Sequence, residues 1–192
     1  FDAVIYDGAK LPIEENIANT KKVVEYARSV NPDILIEAEL GYIGTSSKVL
    51  DEIPEGVSLE QLTTPEEANK FVKETGVDLF APSVGNIHGM LKKVKNPELN
   101  IERIKEIRES AGVPLVLHGG SGISDQNFKD AIANGISTIH INTEIRRAYR
   151  EGIEQSLKDN PDEIAPYRLM KPGLDAIQDV VEKRLKLFNL FL

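Results

Sequence analysis

The chain holds three histidines, His88, His118 and His140, and each stands where an apolar or β-branched run gives way to glycine or small polar residues. The runs close in Gly85-Asn86-Ile87-His88-Gly89, His118-Gly119-Gly120-Ser121-Gly122 and His140-Ile141-Asn142-Thr143. If the runs are parallel strands, their C-terminal ends share one rim, and the three imidazoles converge there although they are far apart in sequence. Neutral imidazole is a preferred zinc ligand, and a catalytic zinc takes about three protein ligands and keeps one position open. There is no cysteine, so a metal centre here must use nitrogen and oxygen donors.

Carboxylates reach the same rim. Asp7 ends a run in Tyr6-Asp7-Gly8, and Glu39 lies in Glu37-Ala38-Glu39-Leu40-Gly41. Strand alternation puts Glu37 and Glu39 on one face with Ala38 on the other. Charges on an otherwise apolar strand are costly unless paired or metal-bound, which predicts either a polar site or interior lysine or arginine partners. Ligand or catalytic use of Glu39 is the expectation. The His118 to Gly122 loop lets backbone amides approach an anion, and a following helix N-terminus adds positive potential. With Ser121, Asn142 and Thr143 as further donors, phosphate binding is favoured over a plain flexible turn.

The elements that must position these groups follow from periodicity. Strands are expected at 2–7, 34–40, 79–84, 115–118 and 138–142, alternating with helices as in repeated βα units on a parallel sheet. Pro12 opens a stripe of Ile13, Ile17, Val24 and Ala27, and Thr64-Pro65-Glu66-Glu67 reads as a capping box. Asn100 and Ser124 stand as N-caps before two further apolar stripes. A last helix is expected to start at Pro172 and to carry Ile177, Val180, Val181, Leu185 and Phe188. The stretch 41–63 lacks periodicity and reads as a mobile active-site loop. Arg146, Arg147 and Arg150 alternate with Glu144, Glu151 and Glu154, which reads as a solvated helix face, with anion contact by one arginine as the alternative.

The chain has 192 residues and a net charge of -8. That length suggests one domain with a sizeable core. The acidic balance argues against a nucleic-acid partner. With no apolar run near the roughly 20 residues of a membrane span, a membrane partner is not expected and cytoplasm is the default compartment. The opening Phe1, leading straight into a strand, predicts an N-terminally incomplete domain. Five βα units fit an open doubly wound sheet and fall short of a complete eight-unit barrel.

Taken together, these motifs resemble the class II, metal-dependent ketose-bisphosphate aldolases, which include fructose- and tagatose-bisphosphate aldolases. The resemblance runs from Phe1 almost to Phe188, through Tyr6-Asp7-Gly8, Leu11-Pro12, Glu14-Glu15-Asn16-Ile17, Glu37 to Gly41, the three histidine segments and Lys171-Pro172. It implies a TIM (β/α)8 barrel of which this chain supplies about the last five strand–helix units and the C-terminal helices. It also implies reversible cleavage of a ketose bisphosphate into dihydroxyacetone phosphate and glyceraldehyde 3-phosphate. By the same resemblance His88 and His118 bind catalytic zinc, while Asp7 and Glu39 hold a second divalent metal in some members. Gly89, Gly119, Gly120, Ser121, His140, Asn142 and Thr143 match positions that hold the substrate.

The family's acid/base aspartate and a further zinc histidine are expected upstream of Phe1, and a homodimer or homotetramer is expected of the full-length protein. Three positions depart from the family pattern: Ala9 and His140 stand where serine and asparagine are usual, and the acidic pair expected after Glu39 is replaced around Thr45 to Lys48. Two other readings compete. One is a Schiff-base aldolase using Lys10; the other is a phosphosugar-binding homologue that kept the fold and lost the chemistry.

Overall fold

A computed structural model describes residues 1–189. In chain order the elements are β1 (Ala3–Asp7), α1 (Ile13–Val30), β2 (Leu35–Leu40), β3 (Val49–Leu50), α2 (Pro65–Thr75), β4 (Leu79–Pro82) and β5 (Met90–Leu91). They continue with α3 (Ile101–Ala111), β6 (Leu115–Leu117), α4 (Asp125–Ala133), β7 (Ile136–Ile139), α5 (Thr143–Asp159) and α6 (Pro166–Phe188). Among the described residues the main sheet has five parallel strands in the order β1-β2-β4-β6-β7. Spatial order therefore follows chain order with no reversal. A doubly wound sheet needs a switch point where the order turns back, whereas a barrel adds each strand beside the last. Helices α1 to α4 pack neighbour against neighbour in the same sequence, which makes one helical layer. The sheet is an arc of a TIM barrel.

The alternation along β2 decides which side does what. Ile36, Ala38 and Leu40 turn into the core with Phe71, Phe80, Ile104, Leu115, Leu117 and Phe128. Burying each such Ile, Leu or Phe side chain stabilises the fold by about 1.5–3 kcal/mol. Glu37 and Glu39 take the opposite side and are nevertheless buried. The capping expectations hold: Thr64 and Glu67 form a capping box, Asn100 accepts from the Arg103 amide and Ser124 from the Asn127 amide. Each such cap contributes about 1 kcal/mol.

Several boundaries differ from the periodic reading. The strand expected at 79–84 stops at Pro82, where the chain turns toward the Ser83 to Gly89 loop. The last strand runs over Ile136–Ile139 rather than 138–142, because buried Ile136 pairs with Leu115 and an irregularity then shifts the register to Val116↔Thr138. His140 lies just beyond it, its amide still donating to the Leu117 carbonyl at 2.9 Å. The aperiodic stretch 41–63 contributes β3, which pairs in parallel with β5 above the strand exits.

The final helix starts at Pro166, not at Pro172, which sits inside it. Proline removes one helical hydrogen bond and normally breaks a helix. Packing on α5 carries the helix across: Gly152 and Gly173 meet so closely that a methyl group on Gly152 would lie 2.6 Å from the Pro172 carbonyl oxygen. Apolar positions alone could not show that crossing.

Candidate active site

Parallel strand exits gather the chemistry-bearing side chains. One cavity of about 310 Å3 is lined by Asp7, Glu39, His88, Gly89, His118, Gly119, Gly120, Ser121, His140, Asn142 and Thr143, joined by Ile5 and Ser47. The expected metal ligands and substrate contacts thus share one enclosure, although they come from β1, β2, β4, β6, β7 and the start of α5.

Its centre is His118, buried at the end of β6 between two carboxylates. Nε2 lies 2.6 Å from Glu37 Oε1, and Nδ1 lies 3.0 Å from Glu39 Oε2. Burial disfavours charge on the ring, but hydrogen bonds to Glu37 and Glu39 and their negative charges outweigh it and push the pKa up to about 9. An imidazolium donates both N–H groups here. The carboxylates thus pair with a histidine and not with the interior lysine or arginine that was the alternative.

His140 stacks on His118, with ring centroids 4.6 Å apart and planes 19° apart, and His88 lies on the β4 side at 6.1 Å. Burial, then the neighbouring His118 charge, holds His140 below the usual histidine range, with Glu37 and Glu39 opposing. His88 is steered from outside the cavity: its Nδ1 lies 2.7 Å from the Gly44 carbonyl. A ring whose Nδ1–H donates to a backbone carbonyl keeps Nε2 as a lone-pair donor, the arrangement used to orient metal-binding histidines.

Donor atoms of Glu37, His118 and His140 all lie within 4.8 Å of one another. That cluster shares His118 with the sequence expectation but draws in Glu37 and His140. His88, Asp7 and Glu39 line the cavity around it. Asp7 is in register with Glu39 across β1 and β2, and its Oδ1 accepts from the Ala9 amide at 3.1 Å.

The anion side is built from backbone. Gly119 has φ +62°, and a methyl group there would lie 2.3 Å from the Ile87 carbonyl oxygen; Gly89, with φ +93°, is equally confined by Lys48. Ser121 Oγ accepts from the amides of Asn142 and Glu144, which caps the start of α5 and leaves its hydroxyl proton free to donate to a ligand. A helix N-terminus beside glycine-loop amides suits an anion.

Three buried asparagines that the sequence reading did not assign to the site hold these loops. Asn16 donates to the Glu39 carbonyl. Asn86 accepts from the Val84 amide and donates to the His118 carbonyl. Asn96 accepts from the Leu91 amide and donates to the carbonyls of both Gly89 and Ser121. Their local sequences carry no periodic signal, because each acts by bridging segments distant in the chain. Arg184 of α6 was likewise unforeseen: it pairs with Glu144 in the first turn of α5 and with Asp125, and lies over the Phe128 ring.

Lys10 is exposed over the Tyr42 ring in an adjoining cavity of about 270 Å3. That setting lacks the desolvation that activates a Schiff-base lysine. Of the three arginines noted on α5, Arg147 and Arg150 pair with Glu151 and Glu154 one turn on. No helix among the described residues is long and apolar enough to cross a membrane.

The structure is thus an arc of parallel barrel with a histidine–carboxylate cluster beside a glycine loop at its strand exits. Comparison assigns that arc to a family. The sequence pattern described as fructose-bisphosphate aldolase class-II matches residues 1–190. A sulfofructosephosphate aldolase of Alkalicoccus urumqiensis is 39% identical over 189 residues, covering 98% of this chain and 63% of its own length. A fructose-bisphosphate aldolase of Geobacillus stearothermophilus is 37% identical with the same coverage. The crystal structure of the YdjI aldolase from Escherichia coli K12 superimposes with a TM-score of 0.74 at 33% identity, covering 98% of this chain and 60% of that one. The chain belongs to the class II fructose-bisphosphate aldolase family. It spans about 63% of the length of the curated relatives it matches.

Proposed function

We propose that the protein containing this chain is a divalent-metal-dependent aldolase that reversibly cleaves a ketose 1,6-bisphosphate of the fructose or tagatose type into dihydroxyacetone phosphate and glyceraldehyde 3-phosphate. The observation that carries the reading is the single cavity in which His88, His118 and the carboxylates face the Gly119 to Ser121 loop and the start of α5. The donor set fits a zinc-type cation, since it offers imidazole nitrogen and carboxylate oxygen without thiolate.

In this reading His88 and His118 hold the cation, with Asp7 and Glu39 as the second divalent position. The bound metal supplies Lewis-acid polarisation of the substrate ketone. Gly89, Gly119, Gly120, Ser121, Asn142 and Thr143 surround the phosphate. Since the Gly120 amide donates to the His140 carbonyl and those of Asn142 and Glu144 to Ser121 Oγ, the grip falls to the other amides of the loop and to the Ser121, Asn142 and Thr143 side chains. Fixing the phosphate orients the three-carbon unit toward the histidines, so that little motion is left between binding and reaction. Glu39 holds the His118 ring in place. Proton transfer is not assigned to any of these residues.

The intact protein is expected to cleave fructose 1,6-bisphosphate or its tagatose epimer, to lose that activity in a strong chelator and to regain it with zinc. Equal turnover with and without chelator would sink the metal-dependent reading.

A further inference from the structure

The proposed mechanism gives α6 no part, yet one of its side chains reaches the starts of both helices beside the glycine loop. Helix α4 follows that loop directly, and α5 follows the exit of β7. Asp125 stands in the first turn of α4 and Glu144 in the first turn of α5. Arg184 joins them: Nη1 donates to Asp125 Oδ1 at 2.8 Å, while Nε and Nη2 donate to the two oxygens of Glu144 at 2.7 and 2.8 Å. We propose that Arg184 is a positioning residue for the substrate phosphate, which it serves by occupying the Glu144 carboxylate that would otherwise compete with phosphate for the positive end of α5. The inference rests on the reading that the Gly119 to Ser121 loop and the start of α5 take the phosphate, and it adds a residue from outside the cavity.

The competition follows from where Glu144 stands. A carboxylate in the first turn of a helix is drawn to the amides and the positive potential of that end, the same features that suit an anionic ligand. The Glu144 amide donates to Ser121 Oγ at 3.2 Å, and both Ser121 and the adjacent Thr143 line the cavity at the strand exits. A carboxylate swung to that side would repel an arriving phosphate. Arg184 neutralises its charge and keeps it on the opposite side of the helix start, where Glu144, Asp125 and Arg184 line a separate cavity of about 550 Å3 between α4 and α6.

The surroundings fix the guanidinium in this task. Its side chain is 19% exposed and that of Glu144 13%. Two parallel hydrogen bonds from an arginine set direction as well as distance. The guanidinium lies 4.9 Å from the centre of the Phe128 ring, which packs edge-on against Phe188 at 5.0 Å. On the outer face of α5, by contrast, Arg147 and Glu151 pair with side chains 50% and 58% exposed, and solvent screens what they gain.

The test is a calorimetric titration of the intact protein with inorganic phosphate, with Co2+ affinity measured alongside. Arg184→Met is expected to weaken phosphate binding by about tenfold and to leave Co2+ affinity near parental. Neutralising the released carboxylate is expected to reverse the loss: Arg184→Met combined with Glu144→Gln should bind phosphate within about twofold of the parent. Glu144→Gln alone should bind it at least as tightly as the parent. If Arg184→Met does not fold, Arg184→Gln takes its place in the same cycle.

Parental phosphate affinity in the folded Arg184 variant overturns the proposal while leaving the phosphate reading intact. A loss that persists undiminished in the double variant also overturns it, because Arg184 would then act only by clamping α4 to α5. No phosphate binding by the parent protein overturns the proposal and the phosphate reading together.

Discussion

At the exits of β2 and β6, three ionisable side chains, Glu37, Glu39 and His118, are buried against one another and hold one another by charge. A few ångströms along the rim, the 119–121 loop offers backbone amides whose geometry is fixed by glycine φ angles and by the Asn86 and Asn96 side chains. The first half is tied to a proton or a cation; the second is organised before any ligand arrives. One cavity therefore joins a responsive half to a rigid half, and each should fail in its own way.

The largest effect is expected in the charged half. His118→Leu leaves two buried carboxylates without a counter-charge and should cost about 3–5 kcal/mol in urea unfolding. Adding Glu37→Gln and Glu39→Gln should restore much of it. No recovery would mean that packing, and not charge, holds this half.

The same interaction can be read without mutation in chelator-treated protein. His118 titrates near 9 when folded against 6.5 as its ordinary value, so it binds the proton more tightly in the folded state. Its stabilising contribution is complete below pH 6.5 and is lost as pH rises through about 9. Urea midpoints of the metal-free protein should fall across that window; a flat profile breaks the comparison.

The rigid half should give smaller and more selective losses. Asn96→Ala removes a buried amide that joins three segments and should cost about 1–3 kcal/mol. It should weaken inorganic phosphate binding by calorimetry and leave Co2+ affinity near parental. Equal damage to both ligands would merge the two halves. Gly119→Ala forces a side chain into a left-handed conformation against the Ile87 carbonyl, with strain of about 1–3 kcal/mol, and should lower phosphate affinity with the same selectivity. The smallest change is expected from Tyr26→Lys on α1, where an exposed side chain outside both halves predicts a shift within about 0.5 kcal/mol.

Much of this was legible in the residues. The alternation through Glu37-Ala38-Glu39 revealed an inward polar face because strand periodicity is local, and the caps at Thr64, Asn100 and Ser124 were readable for the same reason. The histidine–glycine exits marked the rim. What stayed hidden acts across distance. Asn16, Asn86 and Asn96 look like loop or helix-surface amides until the chain folds them against carbonyls they serve. Glu37 was seen as a buried charge, but its partner, His118, lies 81 residues away. Pro172 read as a helix start because a proline says where a helix resists continuing; the contact with α5 that overrides it is tertiary.

The strand order has a consequence for how the molecule is made. Each strand of the main sheet pairs with the one synthesised just before it, and the registers link residues such as Ala3 with Leu35 and Phe80 with Leu115. Loop closure over so few residues is inexpensive, so a growing chain can add one βα unit at a time from its N-terminal side. Completion of the cavity waits for the end of that sequence: Glu37 and Glu39 are laid down early, His118 joins them with β6, and His140, Asn142 and Thr143 arrive last. During translation the two carboxylates therefore pass through a stage in which neither the histidine nor a bound cation neutralises them, and docking of β6 and β7 carries an electrostatic reward beyond its apolar one.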